Sequence, residues 1–94
     1  MSKHEAGDLN RAQDFLTGVA QRLELDPAIV EETMHHLLGM TKHVAHDTIR
    51  PAAPLAAFLV GLAAGSAGES TAEGVHARIE KVEEAVKDFS HGQN

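Results

Sequence analysis

The chain has no cysteine, tryptophan or tyrosine, and only three phenylalanines among its 94 residues. Without cysteine there is no disulfide, no thiolate metal site and no cysteine redox chemistry, which fits a reducing compartment. Without large aromatics, a core has to be packed from Leu, Val, Ile, Met and Ala, with Phe15, Phe58 and Phe89 as its few bulky anchors. Basic residues are also scarce: 8 Lys and Arg stand against 14 Asp and Glu, a formal net charge of −6. Nucleic-acid binding depends on neutralising phosphates with Lys and Arg, so this balance excludes DNA and RNA as expected partners. It excludes an anionic membrane surface for the same reason. Met1-Ser2-Lys3-His4-Glu5 holds no apolar run of the kind a signal peptide needs, and a cytoplasmic location is expected.

One segment has no charge at all. Between Arg50 and Glu69, from Pro51 to Gly68, every residue is apolar, small or uncharged. A transmembrane helix needs about 20 apolar residues. Here Pro51 and Pro54 occupy the front and Gly65, Ser66 and Gly68 interrupt the end, which leaves a helix too short to span. The segment is expected to be a buried helix from Ala53 to Gly65, apolar on every side and covered by its neighbours. Ala57, Gly61 and Gly65, four residues apart, would let another helix come close.

The neighbours read as amphipathic helices. Asp8 is a good N-cap for a first helix ending near Leu23, with Leu9, Ala12, Phe15, Leu16, Val19, Ala20 and Leu23 on one stripe. Asp26-Pro27 is a strong start signal. Either a short helix from Pro27 to Glu32 bends into the next segment or the two run on without a break. From Thr33 to Ile49 the apolar positions share one side, and Arg50-Pro51 is expected to end the helix. Ser70-Thr71-Ala72-Glu73 reads as a capping box. The last helix follows, with Ala72, Val75, Ile79, Val82, Val86 and Phe89 as its seam. Residues before Asp8 and after Ser90 are expected to fray. The expected architecture is a single all-α domain, a compact four- to five-helix bundle around the central apolar helix.

Few constellations suggest chemistry. His36, His43 and Asp47, at spacings of seven and four, could offer imidazole and carboxylate ligands to a divalent metal, with His76 as a distant contributor. No HExxH pattern accompanies them, and a solvated polar face is the plainer reading. His46 and Arg50 are i,i+4 neighbours where one helix ends and the next begins, an arrangement that could hold an anion or a small ligand. The competing reading is that Arg50 pairs with a carboxylate or caps helix carbonyls. The glycines at 61, 65 and 68 lack the Lys-Ser or Lys-Thr of a phosphate-binding loop. No nucleophile, base and orienting group fall into a catalytic pattern, so neither an enzyme nor a cofactor is expected.

Leu23-Glu24-Leu25-Asp26-Pro27, Val44-Ala45-His46, Arg50-Pro51-Ala52-Ala53-Pro54-Leu55 and Phe58-Leu59-Val60-Gly61-Leu62-Ala63-Ala64-Gly65 resemble a small bacterial helical domain family of unknown function. Its members occur alone or attached to the molybdenum-cofactor guanylyltransferase. The likeness covers about two thirds of the chain. Phe15 stands in the region where the family often has a tryptophan, and Gly39 and His43 replace acidic and arginine residues. The family contributes no catalytic residues. The resemblance implies a cytoplasmic, non-catalytic accessory or interaction module, with a molybdopterin nucleotidyltransferase or related enzyme as partner. The surplus of apolar surface adds the expectation of a homodimer.

Overall fold

The computed structural model describes residues 3–92, and among them there are four α-helices and no strand. These are α1 (Lys3–Arg22), α2 (Ala28–Asp47), α3 (Ala52–Ser66) and α4 (Ala72–Gly92). The all-α expectation is met. Residues 1–2 and 93–94, where fraying was expected, lie outside the described residues. Chain contacts divide the molecule into two units, Met1–Met34 and His35–Asn94, with the division inside α2.

In the first unit, α1 begins at Lys3 and does not wait for Asp8. Only Gly7 in that stretch disfavours a helix, and one such residue costs about 1 kcal/mol. The helix closes in a left-handed turn. Glu24 adopts φ 60°, and the Leu25 amide donates back to the Ala20 carbonyl at 2.9 Å. Free carbonyls at the helix end are thereby satisfied. Asp26 then caps α2 as expected, its Oδ1 accepting the Ala28 amide at 3.0 Å. Helix α2 is not broken near Glu32. Thr33, whose hydroxyl donates to the Ile29 carbonyl, and Met34 are both buried in a continuous helix.

In the second unit, α2 stops at Asp47, earlier than Arg50. Continuing to Arg50 would drive the Pro51 ring against the carbonyl four residues back. The chain turns sooner: the Ile49 and Arg50 carbonyls accept the Ala52 and Ala53 amides at 2.9 and 3.2 Å, which starts α3. After α3 comes another left-handed turn at Gly68 (φ 71°), closed by the Glu69 amide donating to the Ala64 carbonyl at 2.8 Å. The cap of α4 is Thr71, not Ser70. Its hydroxyl accepts the Gly74 amide at 3.2 Å, so the cap lies one residue beyond the expected frame, and with glycine three residues on there is no side chain to complete a capping box.

The core of this unit joins Met40 and Val44 of α2, Ala53, Val60 and Ala64 of α3, and Val75, Ile79 and Val86 of α4. Met40 is the most enclosed large side chain, at 1% exposure. Fully burying a side chain of this size contributes about 1.5–3 kcal/mol. The α4 seam is therefore real along Val75, Ile79 and Val86, and it opens at Phe89, which is exposed.

Candidate functional site

Helix α3 carries two apolar faces. Ala53, Val60 and Ala64, at steps of seven and four, form the face packed into the core. Leu55, Phe58, Leu59 and Leu62 fall half a turn away, since successive residues advance by 100°. They are 64, 63, 58 and 53% exposed. Within the second unit, α4 and the C-terminal part of α2 pack against one face of α3, so this unit by itself does not cover the helix on every side. Gly61 and Gly65 fit the same picture. A Cβ added at either would meet nothing within 4 Å, so among the described residues of this unit nothing packs closely there.

Beside this ridge, α3 and α4 enclose a shallow apolar groove of about 290 Å³. Val44 and Val86 form its floor, and Ile49, Ala52, Ala56 and Phe89 form its walls. The one hydroxyl on the lining, that of Thr48, already donates to the Val44 carbonyl at 2.6 Å. A groove with no unsatisfied polar group offers contact area and no means of activating a substrate.

The residues singled out for chemistry are dispersed. His43 Nδ1 meets both carboxylate oxygens of Glu83 on α4, at 2.8 and 3.0 Å. The His36 ring lies against the His76 ring, with centroids 4.0 Å apart and planes inclined by 40°. Asp47 is exposed at the end of α2. His36 and His43 thus meet different residues of α4. Among the described residues, no group of three or more His, Cys, Asp and Glu side chains is placed to hold a metal ion. His76 Nε2 is buried with no hydrogen-bond partner among the described residues.

The His46 and Arg50 pair sits beside the start of α3, and both side chains are exposed. An anion site there would need free backbone donors. Pro51 and Pro54 have none, and the Ala52 and Ala53 amides are already used in the turn. The local backbone offers Arg50 no help in gripping an anion.

Sequence reasoning missed a structural clamp. The Glu69 carbonyl lies so close to Gly74 that a Cβ on that residue would fall 1.8 Å from the carbonyl oxygen. Arg78 reaches over this contact, donating to the Gly74 carbonyl at 3.2 Å and pairing with Glu69 at 2.6 Å. A glycine three residues after the cap, inside an otherwise good helix, was the available signal.

The sequence family described as domain of unknown function (DUF6457) matches residues 8–94. The chain belongs to that family. The DUF6457 match takes in α2, α3 and α4 whole and α1 from Asp8 onward, so the ridge, the groove and the clamp all lie within the family's domain. Among curated proteins and solved structures, none matches the chain. Among the described residues, no helix is long and apolar enough to cross a membrane.

Proposed function

We propose that this DUF6457 chain is a non-catalytic helical interaction module of the bacterial cytoplasm. In this reading it works as a homodimer alongside a molybdopterin nucleotidyltransferase or a related enzyme of molybdenum-cofactor synthesis. The observation that carries the interaction role is the ridge of Leu55, Phe58, Leu59 and Leu62. Exposed apolar patches of this kind mark sites of protein contact. In the assembled protein, α3 becomes the central apolar helix, one face packed within its own chain and the other covered by a partner. The link to the cofactor enzyme rests on the sequence resemblance around Arg50–Gly65. The dispersal of His36, His43 and Asp47 and the spent amides beside Arg50 favour this role over metal or anion binding.

Co-expression of the tagged full chain with the nucleotidyltransferase tests the reading. A stable complex is expected, together with less guanine-dinucleotide cofactor in cells lacking the chain. No complex and unchanged cofactor levels would refute the association.

A further inference from the structure

We infer that the ridge on α3 is a self-complementary interface: two copies of the chain meet through Leu55, Phe58, Leu59 and Leu62 with their α3 helices antiparallel across a two-fold axis. This rests on the homodimeric reading above and adds the surface and the register.

Area is the first argument. An interface of ordinary size takes about 800 Å² from each partner, roughly 60% of it apolar, so each side must supply on the order of 500 Å² of apolar surface. An aromatic side chain such as Phe58 presents roughly 150–250 Å², and each leucine somewhat less. At exposures of 64, 63, 58 and 53%, the four ridge residues together supply most of that requirement. Gly61, Gly65, Ala63 and Ser66 flank the ridge, and their small size leaves grooves into which a facing Leu or Phe can settle.

Charge is the second. Each copy carries a formal net charge of −6, so two copies repel wherever acidic surfaces face. The stretch from Pro51 to Gly68 carries no charge, and contact along it avoids that penalty.

Register is the third. Arg50 stands just before α3 and Glu69 just after it, both exposed, with Glu69 already held on one side by Arg78. An antiparallel pairing brings each Arg50 toward the partner's Glu69, and sets each helix N-terminus beside the other's C-terminus. The midpoint of the ridge lies between Phe58 and Leu59. The midpoint of the two charges lies between Leu59 and Val60. These differ by one residue, so with Leu55 opposite the partner's Leu62 each Arg50 stands opposite Ala67, two residues or about 3 Å of rise from Glu69 and within reach of a long side chain. A single register therefore serves both the apolar and the ionic contacts, with Leu55 facing the partner's Leu62. A parallel pairing would set Arg50 beside Arg50 and Glu69 beside Glu69.

The test is the mass of the full chain by light scattering at about 100 µM, above the dissociation constants of micromolar or tighter typical of interfaces this size. Twice the 10.0 kDa chain mass is expected. Leu59→Glu and Leu62→Glu, each on an exposed position, should weaken association at least ~100-fold while helical circular dichroism is unchanged, because a two-fold interface buries every introduced charge twice. A monomeric wild type would overturn both this interface and the homodimeric reading. A dimer that survives both substitutions would overturn the interface alone, leaving dimerisation through another surface. Should either variant fail to fold, thiol crosslinking decides the matter, since the chain has no native cysteine. A short bis-maleimide should join two copies of Leu59→Cys and not of Glu84→Cys, on the polar side of α4; the opposite outcome would overturn the inference.

Discussion

At the scale of single residues, two positions carry most of the local constraint, and both concern handedness or contact of the backbone. Gly74 is fixed by the Glu69 carbonyl, which occupies the space any Cβ would need. Gly74→Ala must therefore move the loop before α4, disturbing the Thr71 cap and the Arg78 clamp together. A loss of about 2–4 kcal/mol is expected in urea unfolding. Gly39 supplies the contrast: a Cβ there meets nothing within 4 Å, so Gly39→Ala should gain up to about 1 kcal/mol through helix propensity alone. Equal effects at the two sites would contradict the contact at Gly74. Glu24 is the other special position, holding φ 60° where a side chain is disfavoured. Glu24→Gly relieves that strain and should raise stability by about 1 kcal/mol in the same assay.

At the scale of elements, much of the helical pattern can be read from residue spacing, and the exceptions have identifiable causes. Asp26-Pro27 announced α2 because its signal is local: the carboxylate reaches an amide two residues on. The α4 seam was legible for the same kind of reason, as Val75, Ile79 and Val86 repeat within one helix. The boundary at Asp47 was misplaced by three residues because two carbonyls were committed to starting α3, a fact that sits on the far side of Pro51. The cap of α4 was framed on Ser70, although the structure uses Thr71. Serine and threonine are both good N-caps, and the box pattern pointed to Ser70 because Glu73 follows three residues on, whereas the close approach of Glu69 to Gly74 accompanies a cap at Thr71. Thr71→Ala should cost about 1 kcal/mol of stability, while Ser70→Ala should fall within about 0.5 kcal/mol of wild type. Thermal or urea unfolding of the two variants checks the frame directly.

The candidate site was legible only in part. Composition raises the expectation that residues 51–68 are shielded from water, but it does not say which of them are. Ala53, Val60 and Ala64 face the core, and Leu55, Phe58, Leu59 and Leu62 face outward. A helix apolar all round gives no phase by which periodicity could separate its two sides. The spacing of the histidines was uninformative for a related reason. Spacing within α2 placed His36 and His43 two turns apart, but each is engaged by a separate residue of α4, His76 and Glu83 respectively.

At the scale of the whole molecule, an acidic surface and one uncharged, two-sided apolar helix divide the labour. The formal charge of −6 lies outside residues 51–68, and in the proposed dimer α3, with Leu55, Leu59 and Leu62 exposed, is the surface on which two copies meet without that repulsion. The account is tested most directly by methyl resonances of the full chain, followed with a soluble paramagnetic agent across a dilution series. Val60 should be shielded at every concentration, and Leu55, Leu59 and Leu62 should be shielded when concentrated and become accessible on dilution. Leucine methyls on α3 that stay accessible at the highest concentration, or a Val60 methyl that is never shielded, would contradict it.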